Sequence, residues 1–504
     1  MDGVILALDQ GTTGSTALVF TADGTIAGRG YAEIGQRYPQ PGWVEQDPRE
    51  LWTSSRDVVA QALRAAGCGP ADVRAIGITN QRETTLLWDR RSGEPLHAAI
   101  VWQSRQTADI CERLRQAGAE AEVRQRTGLV IDPYFSASKI AWLFERHPEA
   151  RARAEAGELL FGTVDTWLLW HLTGGRVHAT DPTNASRTLL YNIHDRRWDP
   201  DLLDLFGVPP AMLPAVRPSC GVLGETAAIE GLAAGIPVAG LAGDQQAALY
   251  GQTCWEPGLA KTTYGTGAFV VLNLGQRHPV LGHGLLTTIC CDAAGGPAYA
   301  VEGAVFTAGA AVQWLRDELR IIERAADTEA LAGAVPDTGG VYFVPAFNGL
   351  GAPYWDMHAR GAIVGLTRGT DRRHLVRATL ESLAYQTRDV IDAMRDSGVE
   401  PTELRVDGGA AANGCLMQFQ ADILGLPVDR PAVLETTATG AALLAGLGVG
   451  FWRDPEQLRH LRRRERLFEP RMPADERDRL YAGWRGAVDR VRSGPPSGAP
   501  AADD

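Results

Sequence analysis

Lysine is almost missing from this chain. Of its 49 basic residues only Lys139 and Lys261 are lysines, and all the others are arginine. That skew reads first as a genomic bias, not as function. A basic excess is missing too. The 61 acids outnumber the bases, for a formal charge of -12, which argues against nucleic acid or an anionic membrane surface as the main partner. Seven cysteines include no CxxC pair, and the adjacent Cys290 and Cys291 cannot both be routine disulfide partners. This excludes a disulfide scaffold and points to a reducing, cytoplasmic setting. Neither the cysteines nor the ten histidines fall at metal-ligand spacing. Long apolar runs are also lacking. Thr338 to Trp355 is broken by Pro345, Pro353 and four glycines, and Thr436 to Trp452 carries four glycines. Both fall short of the ~20 apolar residues of a membrane span, so buried segments are expected. The chain opens on a strand pattern and not on a signal peptide. Two nucleotide signatures are absent as well: the Gly-x-x-x-x-Gly-Lys-Ser/Thr loop, and Gly-x-Gly-x-x-Gly after a strand.

What is present is an ordinary globular composition, 45% apolar and 22% charged, over 504 residues. At roughly 150 residues per domain this is about three domains, or two large lobes. Glycine is the exception, at 57 residues against a usual ~7%. Proline is not raised to match, so tight backbone turns are expected, of the kind that phosphate-binding loops need.

Val4 to Leu8 is apolar, Gln10 to Ser15 is a polar turn, and Thr16 to Phe20 is apolar again, the pattern of a hairpin with a Gly/Thr-rich tip. A similar unit recurs at Thr262 to Leu274. The recurrence predicts two lobes on related plans joined near residue 250, residues 1–252 and 253–492, with a Gly/Pro/Ala/Ser-rich tail, 493–504, expected to be disordered. Between the hairpins, helix is predicted over 50–66, 374–394 and 413–424, and strand over 73–79 and 404–406. Strand, glycine turn and helix in that order predict an α/β fold.

Three strand ends carry an acid beside glycine: Asp9-Gln10-Gly11-Thr12-Thr13, Gly243-Asp244-Gln245, and Asp407-Gly408-Gly409 running towards Asn413. A glycine tip lets backbone N–H groups approach phosphate, and a strand-end acid can reach a phosphate-bound Mg²⁺. Each also has a plainer reading: a hairpin turn at 9–13, a helix N-cap at Asp244, a helix-entry turn at 407–410. Singly, the plainer reading stands ahead. Together they fit a nucleotide clamped between two lobes. Asn80 to Thr85 sets six polar residues between apolar strands, with Arg82 and Glu83 side by side. A donor fork beside a carboxylate suits a small polyol, whose hydroxyls both donate and accept; a solvated hairpin turn is the equal alternative. Trp102 and Tyr134 are candidate apolar walls or simply core.

Longer motifs are more specific. They include Leu-Asp-Gln-Gly-Thr-Thr at 8–13, Gly-Ile-Thr-Asn-Gln-Arg-Glu-Thr-Thr at 77–85, Ala-Gly-Asp-Gln-Gln-Ala-Ala at 242–248, Thr-Tyr-Gly-Thr-Gly at 263–267 and Arg-Val-Asp-Gly-Gly at 405–409. With these, from about Val4 to Val488, the chain closely resembles the glycerol kinases of the FGGY carbohydrate kinase family. The resemblance implies a two-lobed actin/hexokinase-like (ribonuclease H-like) ATPase fold with an interlobe cleft. It also implies ATP-dependent phosphorylation of glycerol to sn-glycerol 3-phosphate, in glycerol catabolism. On it, glycerol meets Arg82, Glu83, Trp102, Tyr134, Asp244, Gln245 and Phe269, with Asp244 as the catalytic base. ATP meets Thr12, Thr13, Gly14, Thr266, Gly309, Gln313, Gly409 and Asn413, and Asp9 holds Mg²⁺. A homo-oligomer, dimer or tetramer, is the family expectation. Thr16 stands where relatives often have arginine. Residues 231–235 stand where enteric relatives carry a cationic loop that binds fructose bisphosphate, and here the segment holds no base. No histidine occurs between His194 and His278, so the family's phosphohistidine switch is also expected to be absent.

Overall fold

The computed structural model describes residues 3–277, 282, 284–396 and 398–493. Two mixed sheets follow one plan. In the first, Ile26–Glu33, Gly14–Phe20 and Val4–Gln10 form an antiparallel meander, and Val73–Asn80 and Pro237–Gly243 continue it parallel to Val4–Gln10. In the second, Pro297–Val305, Ala268–Gly275 and Leu259–Tyr264 form the meander, and Glu403–Gly408 and Val428–Pro431 add the parallel strands. Antiparallel edge strands, Cys220–Glu225 on one sheet and Leu286–Cys291 and Arg464–Phe468 on the other, complete them. Parallel strands need both faces covered, so they read as continuous apolar runs; Val4 to Leu8 is buried throughout. The hairpin recurrence in the sequence is thus the start of a duplicated five-strand unit, the two-lobed α/β plan of the actin/hexokinase ATPases.

The expected helices form with defined ends. Pro48–Ala66 is capped by Asp47, whose carboxylate accepts from the Arg49 amide at 3.0 Å, and stops at Gly67 with φ 65°. Arg372–Arg395 is capped by Asp371. Gly414–Leu424 is capped by Asn413, which accepts from the Leu416 amide at 3.0 Å. The glycine-rich stretch weighed as a membrane span is the buried helix Thr436–Gly448. Among the described residues no helix is long and apolar enough to cross a membrane. This helix comes from the C-terminal half but packs on the first sheet and against the helix Asp244–Gly251. Glycine permits the crossing: a Cβ on Gly440 would overlap the Ala247 carbonyl oxygen, and one on Gly251 the Thr436 carbonyl oxygen.

Two expectations are corrected. Asp244 is not an N-cap; Gly243 is, and Asp244 is the first helical residue. Asn80 to Thr85 is no solvated turn, since all six residues are buried. Of the expected tail, only Ser493 lies among the described residues. Ser493 is tied down, its amide and hydroxyl each donating to Asp356 at 2.7 Å, while 494–504 lie outside the described residues. All seven cysteines are free.

Candidate active site

In the first sheet, the parallel strands Val4–Gln10, Val73–Asn80 and Pro237–Gly243 end side by side, with Asp9 paired to Thr79 and Gly243 to Asn80. Topology therefore delivers Asp9, the 81–85 segment and Asp244 to one edge. This is the carboxyl-end edge where open α/β sheets place ligands.

Arg82 is the hub of that edge. Its Nε lies 3.1 Å from Asp244 Oδ1. Its Nη1 donates to Glu302 Oε2 at 2.6 Å and to Gln246 Oε1 at 3.3 Å, and its Nη2 to Glu302 Oε1 at 3.1 Å and to the Tyr134 hydroxyl at 3.4 Å. Arg187 closes a ring, donating from Nε to Glu83 Oε1 at 2.6 Å and from Nη2 to Glu302 Oε1 at 2.9 Å. All four ring members are buried. Burial pushes the Glu302 carboxyl up, but Arg187 and Arg82 overcome it and hold the group at about 2. For Glu83 burial wins over the same two cations and its carboxyl is raised. Two arginines and two glutamates thus form a charge-balanced unit fixed by bidentate geometry. Arg187 Nη1 has no hydrogen-bond partner among the described residues. Gly243 belongs to this construction too, because a Cβ there would sit 2.8 Å from the Arg82 side chain.

The aromatic residues converge. The Trp102 ring stands edge-on to Tyr134 at 5.6 Å and to Phe269 at 6.4 Å. Trp102 Nε1–H donates to Thr12 Oγ1 at 2.8 Å, which joins this wall to the first hairpin tip. Gln245 is buried, and its Oε1 accepts from Lys261 Nζ.

The two hairpin tips close alike, with Gly11 N–H donating to Gly14 O at 2.9 Å and Gly265 N–H to Gly267 O at 2.8 Å. Thr266 is exposed; its carbonyl accepts from the Ala308 and Ala310 amides, and the Gly309 amide meets Gly265 O. Tyr264 pairs with Gly408, bringing Gly409 beside that tip. Nothing lies within 4 Å of where a Gly409 Cβ would be, so its lack of a side chain answers to no packing. Gln313 is exposed one helical turn beyond Gly309. Two expected nucleotide residues carry structural duties. Gly14 is buried beneath Tyr31, and Asn413 caps its helix while its Nδ2 donates to Thr328 Oγ1 at 3.1 Å.

Asp9 fits a hard cation. Its carboxyl accepts no hydrogen bond and pairs with no base among the described residues, and burial, then the charge of Asp244, push it up to about 7. A divalent ion with its waters would supply the missing positive charge. No cluster of three metal-ligating side chains occurs among the described residues, so such an ion would rest chiefly on phosphate and water oxygens.

The sequence-level expectations did not include Glu302, Arg187 or Lys261. Glu302 left one signal: a lone acid inside the apolar run Tyr299 to Val305, which in a buried strand needs a paired cation.

Comparison with known proteins agrees with this architecture. Residues 4–251 match the N-terminal domain, and 260–449 the C-terminal domain, of the FGGY family of carbohydrate kinases. A glycerol kinase of Halorhodospira halophila is 60% identical over 96% of both chains, and one of Symbiobacterium thermophilum 58% over 97% of this chain and 98% of its own. The chain belongs to the FGGY family of carbohydrate kinases. A crystal structure of Plasmodium falciparum glycerol kinase with ADP superposes with a TM-score of 0.91 at 35% identity, covering 97% of this chain and 98% of that one. The N-terminal match holds the first sheet and the C-terminal match the second except its edge strand Arg464–Phe468, and the Arg82 ring joins the two, since Glu302 comes from the second sheet and the other three members from the first half.

Proposed function

We propose that this chain transfers the γ-phosphoryl group of ATP to a terminal hydroxyl of glycerol, giving ADP and sn-glycerol 3-phosphate. One observation carries the reading: Arg82 holds the partly exposed carboxylate Asp244 through Nε and reaches the Tyr134 hydroxyl through Nη2, and the Tyr134 ring meets Trp102, which in turn meets Phe269. Phosphoryl transfer asks little covalent chemistry of a protein; positioning and charge neutralisation dominate. Asp244 takes the proton of the attacking hydroxyl, the hydroxyl oxygen bonds to the γ-phosphorus, and the bond to the ADP oxygen breaks. Arg82 orients Asp244 through Nε. Its two long contacts, to Gln246 and Tyr134, are the ones substrate hydroxyls replace most cheaply, and Arg187 Nη1 is a spare donor. Glu83 and Gln245 accept from the remaining hydroxyls. Thr12, Thr13, Thr266, Gly309, Gln313 and Gly409 line the nucleotide side, where the supports for Gly14 and Asn413 keep the loops in place. Mg²⁺, held through Asp9, supplies charge neutralisation on the phosphates. Residues 1–252 and 253–492 act as the two lobes, and closure between them excludes water as a competing acceptor. The working unit is a dimer or tetramer.

A coupled assay of ADP release tests the reading. ADP formed in proportion to glycerol, with a phosphate ester as co-product, supports it. ADP release indifferent to glycerol would make the chain an ATPase of another kind. Preference for a larger sugar or ketose would place it elsewhere in the family.

A further inference from the structure

The chain uses arginine at 47 of its 49 basic positions, and the two exceptions are both fully buried at the proposed polyol site. Lys139 Nζ donates to the carbonyl oxygens of Glu83 and Tyr134, at 2.8 Å each. Lys261 Nζ donates to Gln245 Oε1, and to Thr263 Oγ1 at 2.8 Å. We propose that Lys139 and Lys261 are positioning residues of the polyol site, Lys139 fixing the backbone of Glu83 and Tyr134 and Lys261 fixing the side chain of Gln245. This rests on the glycerol reading above, because Glu83, Tyr134 and Gln245 are the residues assigned to that substrate.

The acceptors explain why lysine stands here. All four are neutral oxygens, two converging on each ammonium. A compact ammonium with three donors satisfies such a pair; a planar guanidinium brings five N–H groups, most of which would be left buried and unpaired. Backbone geometry adds a second reason. Glu83 has φ 28°, a conformation a side-chain-bearing residue holds only when its surroundings impose it. Three donors meet on its carbonyl oxygen: Lys139 Nζ, Thr85 Oγ1 at 3.0 Å and Ser136 Oγ at 3.3 Å. Burial lowers both ammonium groups, Lys139 to about 7 and Lys261 to about 8.

Lys139→Met, Lys139→Arg, Lys261→Met and Lys261→Arg are to be purified as the full chain and assayed beside thermal unfolding. In every folded variant the KM for glycerol should rise about tenfold or more, as expected for losing one charged hydrogen bond, with the KM for ATP unchanged. A folded arginine variant with the wild-type glycerol KM overturns the inference. Should a variant not fold, acetic anhydride labelling of the wild-type enzyme, mapped by mass spectrometry, decides. Glycerol should slow acetylation of both lysines and ATP alone should not; equal rates with and without glycerol overturn it. A wild-type enzyme that ignores glycerol refutes the functional reading itself, whereas an active wild type with indifferent variants refutes only this inference.

Discussion

Arg82 faces a protein acceptor with every one of its guanidinium nitrogens, and this changes what its mutation tests. Arg82→Ala removes more than a substrate contact. It strips Glu302 of its bidentate partner in a fully buried position, a change that costs about 3–5 kcal/mol when one member of a buried pair is lost. A lower unfolding temperature should therefore accompany the loss of glycerol affinity. Glu83→Gln is the cleaner probe: shape is kept, glycerol KM rises and ATP KM holds. An unchanged glycerol KM in a folded Glu83→Gln enzyme would reduce the pair to scaffold. Asp244→Asn addresses the chemistry. The amide cannot take the proton, so kcat should fall ~10²–10⁴-fold, the usual scale for a general base. Nucleotide affinity, followed by calorimetry, should stay the same. Near-normal turnover would remove Asp244 from its role.

The helix Asp244–Gly251 is held from behind by Thr436–Gly448, and the contact is backbone to backbone at Gly440. Gly440→Ala forces a methyl against the Ala247 carbonyl oxygen, and overpacking of this kind costs typically 1–3 kcal/mol. Because the displaced helix starts at Asp244, kcat should fall as well as the unfolding temperature; loss of stability alone would show that the helix tolerates the shift. A second element contact carries pH dependence. Asp389, on Arg372–Arg395, accepts from Tyr481 O–H at 2.6 Å and Trp484 Nε1–H at 2.8 Å and so clamps the helix Ala474–Asp489. Burial pushes its carboxyl up to about 7, against these donors and Tyr354. An unfolded aspartate titrates near ~4. Between about pH 4 and 7 the folded chain keeps a proton the unfolded chain has lost, so this group's contribution to stability falls as pH rises. Asp389→Asn removes that slope. Between about pH 5 and pH 8 the wild-type denaturation midpoint should fall relative to that of the variant, and parallel behaviour of the two proteins would refute the assignment.

At the scale of the molecule, the two-lobe plan was legible because its unit repeats: a hairpin with a glycine tip at 4–20 and 262–274, and later a strand running into an acid, at 237–244 and 404–407. The family motifs then named the acids at the strand ends. What stayed hidden was whatever depends on approach across the halves. Nothing local to Tyr299–Val305 says that Glu302 meets Arg82 and Arg187, which lie over a hundred positions away. Nor does the apolar stretch after Thr436 announce that it supports the other sheet. The same limit touches regulation. On sequence alone, 231–235 is a loop that holds no base. In the fold, Arg56 reaches Glu230 at 3.4 Å and Asp57 at 3.1 Å, so a cation is present but is spent on two carboxylates. A bisphosphate needs free Arg or Lys donors and would have to displace those acids, at an overall charge of -12. The enzyme should therefore keep its full rate when fructose bisphosphate is titrated into the coupled assay at low salt. Glu230→Ala, which frees one of the Arg56 contacts, is the variant in which weak inhibition should first appear. Saturable sub-millimolar inhibition of the wild-type enzyme, lost on replacing Arg56, would show instead that this arginine exchanges its carboxylate partners for phosphate.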